Sequence, residues 1–124
     1  MRWFFLVVFF SFFSALQAQN TNFENSLAKL NASNFALHFD SKIELSTPKT
    51  TGAFSQQQAK IILEQFFKEN QFNKYVYKHN GGSKERSFYE IGRLESEGNN
   101  YRTYILYNLV QNKPRIIELR IEKE

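Results

Sequence analysis

Four segments of alternating polar and apolar residues fill the second half of this chain and constrain its fold most strongly. They are residues 74–79, 86–96, 101–110 and 115–123. Asn80-Gly81-Gly82 predicts a hairpin turn, and short polar stretches separate the later segments. Such short connections join antiparallel neighbours. The sequence therefore predicts a four-stranded antiparallel meander, with a bulge or bend at the interior glycine Gly92.

Helical patterns precede this meander. Ser55-x-x-Gln58 is a capping box, and it predicts a helix over residues 56–70. Its apolar stripe is typical of a helix packed on a core, and consists of Ala59, Ile62, Leu63, Phe66 and Phe67. Thr21-x-x-Glu24 is a second capping box and predicts a helix over residues 21–30. A short turn over 34–38 and a strand over 42–46, ended by Thr47-Pro48, complete this half.

Helices first and a meander last indicate an α+β fold, with N-terminal helices packed on one face of a curved antiparallel sheet. In the third long strand, Ile105, Tyr107 and Leu109 point one way, and Tyr104, Leu106 and Val110 the other. Because both faces are apolar, we expect a homodimer through the sheet face around Tyr104, Leu106 and Val110. In the last strand, Ile117, Leu119 and Ile121 alternate with charged residues, so we expect one of its faces to be exposed to solvent.

The first eighteen residues have the pattern of a secretory signal peptide. Arg2 precedes an apolar run from Trp3 to Leu16, and small residues lead to a cleavage site near Ala18-Gln19. As a helix this run is about 21 Å long, too short for a hydrocarbon core of roughly 30 Å. We expect export to the periplasm or beyond, with no stable membrane span after cleavage; a retained anchor is the alternative.

Residues 19–124 then form one domain, which is long enough to bury a hydrophobic core without stabilising cross-links. The chain has no cysteine, so no disulfide holds it together. Its net charge is +4, and acidic residues are interleaved with basic ones. The sequence therefore predicts no nucleic-acid binding.

Several segments resemble exported bacterial proteins of a domain-of-unknown-function family with a nuclear-transport-factor-2-like, or cystatin-like, fold. The resemblance lies in residues 27–39, in the capped helix, and in motifs of the four strands: His79-Asn80-Gly81, Ile91-Gly92, Tyr101-Arg102-x-Tyr104 and Leu119-Arg120-Ile121-Glu122. It implies a cone-shaped, strongly curved sheet and assigns no activity.

Two hypotheses about chemistry follow. His38-x-Asp40 could pass a proton if both side chains share one face, as in the ketosteroid isomerases and dehydratases of the superfamily. A solvated junction explains the pair better, so we predict no catalytic residues. The two histidines and the single aspartate lie on separate elements, and we expect no metal site and no cofactor.

The second hypothesis is a cone pocket for a small apolar or anionic ligand. We expect it to be lined by Tyr75, Tyr77, His79, Tyr89, Phe66 and Phe67. Ordinary cross-strand aromatic pairing is the alternative reading.

A row of arginines in neighbouring strands could hold an anion, but pairing with the interleaved acids Glu90, Glu95, Glu118 and Glu122 explains it better. The sequence thus favours an exported, non-catalytic binding or protein-interaction domain. A small-ligand carrier, and less so a small enzyme of the isomerase or dehydratase type, are the alternatives.

Overall fold

The computed structural model describes residues 22–84 and 86–124, and these form three helices and six strands. The helices are α1 (Asn22–Ala28), α2 (Ala32–Ala36) and α3 (Gln56–Asn70). The strands are β1 (Phe39–Ser46), β2 (Thr51–Ser55), β3 (Lys74–Lys84), β4 (Ser87–Ser96), β5 (Asn99–Val110) and β6 (Lys113–Lys123). The predicted signal peptide and Thr21 of the first capping box lie outside the described residues.

The six strands form one mixed sheet in the order β2-β1-β6-β5-β4-β3. Strands β3 to β6 are antiparallel neighbours, which confirms the predicted meander. Strand β1 extends the sheet by pairing parallel to β6 and antiparallel to β2. The edge strands β2 and β3 do not pair with each other, so the sheet is open.

The hairpin turn predicted at Asn80-Gly81-Gly82 is wrong. Strand β3 runs through these residues to Lys84, and Arg86, with a φ of 59°, lies in the connection to β4. A two-residue type I′ turn needs positive φ at both central residues, and neither glycine has it. Gly81 instead leaves room for the ring of Tyr89, whose Oη would lie 2.8 Å from an added Cβ.

The chain between the first helices and α3 is more regular than predicted. Helix α2 begins two residues before the predicted turn at 34–38, because Asn31 Oδ1 accepts the Asn34 N–H at 3.0 Å as its N-cap. Strand β1 ends at Ser46, as Thr47-Pro48 predicts. The short strand β2, which the sequence analysis missed, follows a turn in which Thr47 Oγ1 accepts the Thr50 N–H.

Helix α3 has the predicted bounds, and both hydrogen bonds of its capping box are present. The Gln58 N–H donates to Ser55 Oγ, and the Ser55 N–H donates to Gln58 Oε1, each at 3.2 Å. The helix ends where Gln71 adopts a left-handed φ of 47° and its N–H donates to the Phe67 carbonyl. Sequence chemistry at the first turn therefore fixes where this helix starts.

Apolar side chains of the helices contact one face of the sheet, which we call the inner face. Phe66 of α3 packs on Tyr101 with 5.4 Å between ring centroids, and Phe23 of α1 packs on Tyr107 at 5.1 Å. The buried core includes Phe35, Phe39, Ile43, Leu45, Leu63, Leu94, Ile105, Ile116, Leu119 and Ile121. The opposite face of the sheet is the outer face.

The two-faced pattern predicted for the third long strand is confirmed in β5. Ile105 and Tyr107 are buried on the inner face, whereas Tyr104 and Leu106 are partly exposed and Val110 is 50% exposed. In β6 the predicted alternation fails at Ile117, because the register shifts between Leu106 and Tyr107 of β5 and places Ile116 in the core instead.

Candidate functional site

Four side chains on the outer face form a continuous row across β6, β5, β4 and β3, which we call the aromatic row. The Arg120 guanidinium lies 4.7 Å from the centre of the Tyr104 ring. Tyr104 stacks on Tyr89 with 6.2 Å between centroids and 15° between planes. The His79 ring meets the Tyr89 ring edge-on at 5.8 Å. Each contact joins adjacent strands, so the row connects all four strands of the meander on the outer face.

Strand register explains why these residues meet. Tyr104 lies opposite Arg120 in β6 and opposite Ile91 in β4, one diagonal step from Tyr89. A bulge between Tyr77 and His79 shifts β3 by one residue. Since one extra residue reverses the side-chain alternation, His79 lies on the outer face while Tyr77 keeps the inner-face register.

The two tyrosines of this row and the apolar residues beside them form a surface that we call the outer patch. It consists of Tyr89, Ile91, Tyr104, Leu106 and Val110. The first four are partly exposed, and Val110 is among the large hydrophobic side chains that remain exposed in the described part of the chain. Contiguous apolar surface rimmed by polar groups is typical of interaction sites on soluble proteins.

Ion pairs flank the outer patch. Arg93 binds Glu124 at 3.1 Å and Glu95 at 3.6 Å, and Arg120 binds Glu118 at 3.1 Å. The hydrogen bond and charge of Glu124, and then those of Glu95, raise the pKa of Arg93. Pairing with interleaved acids, the favoured sequence interpretation, is confirmed for these two arginines.

Glu90 departs from that interpretation, because it lies on the inner face and is 1% exposed. The Tyr75 hydroxyl donates to Glu90 Oε2 at 2.6 Å. The expectation that Glu90 pairs with an arginine across the sheet is therefore wrong for this carboxylate. The missed signal is alternation: Phe88, Glu90 and Leu94 share the face that β4 turns to the core.

Gly92 lies beside this pair and explains its geometry. A Cβ at Gly92 would lie 2.2 Å from Tyr75 Oη and 2.4 Å from its Cζ, so the tyrosine ring occupies the space above the glycine. The pairing of β4 with β5 is unbroken at this point. The bulge predicted at Gly92 lies instead in the neighbouring strand β3.

The six residues predicted to line a pocket fall in different places. Phe66 is buried in the core, Phe67 packs on Phe72 with 5.3 Å between centroids, and Tyr75 lies on the inner face. Tyr77 is 48% exposed. His79 and Tyr89 belong to the aromatic row on the outer face.

A groove of about 320 Å³ lies elsewhere, between α3 and the turn that joins β1 to β2. It is lined by Thr47, Lys49, Thr50, Ile61, Ile62, Gln65, Phe66 and Glu69. Hydrogen bonds from Gln65 and Lys49, together with the Lys49 charge, lower the pKa of Glu69. Of the predicted pocket residues, Phe66 is the one that reaches this groove.

The His38-x-Asp40 pair lies where α2 meets β1. Burial of the partly exposed His38, and then the charge of Arg115, lower the pKa of this imidazole. Asp40 accepts the N–H of its neighbour Ser41 at 2.9 Å, a local contact within β1. Within residues 22–84 and 86–124, no group of three or more histidine, aspartate or glutamate side chains could hold a metal ion.

None of the described helices is long and apolar enough to cross a membrane. The aromatic row lies on the outer face, and the Tyr75–Glu90 pair is a buried polar contact of the inner face.

Comparisons with known proteins place this architecture in a family. The model of a domain of unknown function, DUF4783, matches residues 11–122. A DUF4783 protein from Bacteroides fragilis is 27% identical, with a TM-score of 0.73 over 81% of this chain and 93% of its own. No curated protein matches the chain.

More distant structures share the fold at lower identity. A protein of unknown function with a cystatin-like fold from Nostoc punctiforme is 14% identical, with a TM-score of 0.61 over 82% of this chain and 83% of its own. An NTF2-like protein of unknown function from Cytophaga hutchinsonii is 16% identical, with a TM-score of 0.56 over the same shares. The chain belongs to the DUF4783 family and has an α+β fold similar to those of NTF2-like and cystatin-like proteins.

Proposed function

We propose that this chain is an exported, non-catalytic interaction domain that binds a protein partner through its outer patch. The observation that carries the proposal is the aromatic row, because it sets tyrosine and arginine side chains at the centre of a partly exposed apolar surface. Tyrosine and arginine are enriched in protein interfaces, and charged residues concentrate at the rims.

The layout of the outer face agrees with this anatomy. Ile91, Tyr104 and Leu106 occupy the middle of the meander, and Arg93 with its two glutamates lies toward one end. Tyr89 and Tyr104 hold each other in place by stacking. A partner would therefore bury large rings that have little rotational freedom left to lose.

Export is the second part of the proposal, and it rests on the predicted signal peptide at residues 1–18 and on a core that needs no disulfide. We also propose the strongly curved, cone-shaped sheet that the family resemblance implies. Such a sheet would wrap its inner face around the helices and leave the convex outer face available to a partner.

A small-ligand carrier is the second candidate, and one observation favours it. Glu90 and Thr103 place polar atoms on the inner face, and both side chains are almost fully buried. A ligand held there would compete for the Tyr75 hydroxyl. If small-ligand binding is lost in Glu90→Gln and unaffected by Leu106→Glu, the inner face binds the ligand. That result would favour this candidate over a protein partner on the outer patch.

Photo-crosslinking in the exporting cell tests the proposed function. A photoreactive phenylalanine analogue replaces Leu106 in one variant and the exposed Lys68 of α3 in a matched control. We expect discrete protein adducts from position 106 and none from position 68. No adduct at 106, or the same adducts from both positions, would contradict the proposed contact surface.

A further inference from the structure

We propose that the groove between α3 and the turn joining β1 to β2 binds a small zwitterion with an apolar side group, of the class of apolar amino acids and their short peptides. The groove lies on the helix side of the sheet, away from the outer patch, so this inference goes beyond the proposed function. It rests on the shape of the groove, on its apolar floor and on two opposite charges at its rim.

The path of the chain explains why a groove forms here. Strand β2 runs directly into α3 at Ser55, which is both the last residue of the strand and the N-cap of the helix. The turn before β2 therefore lies beside the later turns of the helix. The Gln56 side chain fixes this corner, because its Nε2 lies 3.2 Å from the carbonyl oxygens of Ala36 and Phe39 and 3.3 Å from that of Leu37.

The turn that forms one wall of the groove is ordered by its own hydrogen bonds. The Thr47 N–H donates to the Thr50 carbonyl at 2.7 Å. Thr47 Oγ1 accepts the N–H groups of Lys49 at 3.3 Å and of Thr50 at 3.1 Å, and Thr47 itself is buried. A preformed wall favours ligand binding, because less backbone freedom is lost when the ligand arrives.

Helix α3 supplies the apolar floor. Ile62, Phe66 and Glu69 lie on one helix face at spacings of four and three residues, with Gln65 beside them. Phe66 is buried, whereas Ile61 also lines the groove and is 58% exposed. The volume of about 320 Å³ is at the small end of the roughly 300–1,000 Å³ typical of small-molecule sites. The groove therefore suits a small molecule whose apolar part covers this floor.

The rim decides the charge of the ligand. Of the lining residues, Lys49 and Glu69 carry charges; Lys49 Nζ lies 3.3 Å from Glu69 Oε1, and the two side chains are 73% and 40% exposed. A ligand with only a carboxylate would bring a second negative charge to Glu69, and one with only an ammonium group a second positive charge to Lys49. A zwitterion avoids both, because each of its charges meets an opposite one.

An α-amino acid carries both charged groups on one carbon, so they are close enough together to match the Lys49–Glu69 pair. The helix sets their orientation. Glu69 is the penultimate residue of α3, where the last carbonyls carry partial negative charge. A hydrogen bond from Gln65, and then the bond and charge of Lys49, lower the pKa of Glu69 and keep it ionised. The ammonium group of the ligand therefore lies at Glu69 and its carboxylate at Lys49.

Calorimetric titration of the full chain, produced in an exporting host, tests the ligand class. We expect leucine to bind one site per chain with a dissociation constant of about 1 mM or lower. N-acetylleucine lacks the ammonium group and leucine amide lacks the carboxylate, so each should bind about 10-fold more weakly. Equal binding of all three would overturn the proposal.

The dipeptide leucylleucine distinguishes the two sources of this chemistry. Tighter binding of the dipeptide than of leucine would identify short peptides as the ligand, and weaker binding would identify the free amino acid. If neither leucine nor leucylleucine binds, the groove is not a zwitterion site and the proposal is wrong.

Substitutions of exposed residues locate the binding. Ile61→Asn should weaken leucine about 10-fold by removing apolar contact. Lys49→Glu alone should abolish binding, and adding Glu69→Lys should restore it, because the two charges then exchange places. Lys68→Glu in α3 and Leu106→Glu in the outer patch are controls that should change nothing; circular dichroism checks that each variant folds.

A loss of binding in both controls equal to that in Ile61→Asn, or no recovery in the charge-exchanged protein, would overturn the site. These results leave the outer patch untested by design, because photo-crosslinking from position 106 reads that surface separately. The two proposals can therefore fail independently.

Discussion

Replacing Gly92 by alanine should destabilise the protein through the ring of Tyr75. The new Cβ would lie 2.2 Å from Tyr75 Oη and 2.4 Å from Cζ, distances that force the ring to swing away. The hydroxyl then loses its 2.6 Å hydrogen bond to Glu90. Loss of a buried hydrogen bond costs about 1–3 kcal/mol, and alanine regains about 0.5–1 kcal/mol of backbone entropy.

The net expectation is a loss of about 1–2 kcal/mol from the free energy of unfolding, measured by urea denaturation. Gly82→Ala is a matched control, because its Cβ meets no atom closer than 3.8 Å. That substitution should be neutral or stabilise the protein by up to about 1 kcal/mol.

Repeating Gly92→Ala in a Tyr75→Ala protein tests whether the tyrosine ring causes the loss of stability. In a Tyr75→Ala protein the ring is gone, so Gly92→Ala should become neutral or slightly stabilising. An equal cost of Gly92→Ala in both backgrounds would refute the reasoning, because the glycine would then be required for something other than the tyrosine ring.

Three further predictions concern the cap, one histidine and the leader. Ser55→Ala should cost about 1 kcal/mol in urea denaturation by removing the acceptor for the Gln58 N–H; a value near zero would mean that the capping box does not hold α3. The lowered pKa of His38 means that the fold favours its neutral form, so the unfolding free energy should fall as pH drops below the usual 6.5 toward the folded-state pKa. His38→Gln should flatten this dependence of the unfolding free energy on pH. An unchanged dependence would mean that another group causes it. Mass spectrometry of the exported protein should find a chain beginning at Gln19; an intact Met1 in the recovered protein would refute cleavage.

Local chemistry made much of the fold predictable. The Ser55 capping box fixed the start of α3, and alternation revealed the two faces of β5. Predictions failed where tertiary contacts override local signals. Gly81 resembles a turn residue, yet it serves the neighbouring Tyr89 ring, and strand β2 is recognisable only because β1 pairs with it.

The candidate site was less predictable, because a single bulge reassigns residues between faces. Tyr75, Tyr77 and His79 share one face in an unbroken strand, but the extra residue before His79 moves it to the outer face. Glu90 was misassigned because surface charge is the usual role of glutamate, although its apolar alternation partners pointed inward. The homodimer surface was proposed from Tyr104, Leu106 and Val110 alone, and the aromatic row became visible only with the cross-strand register.

Thiol labelling in intact cells tests the central claim, a partner on the outer patch, most directly. Leu106→Cys and Lys68→Cys each introduce one cysteine into a chain that has none, and a permeant maleimide reads their accessibility. The account predicts that position 106 labels several times more slowly than position 68 in cells, and that the difference shrinks once the purified protein is diluted. Equally fast labelling of both positions in cells would contradict it.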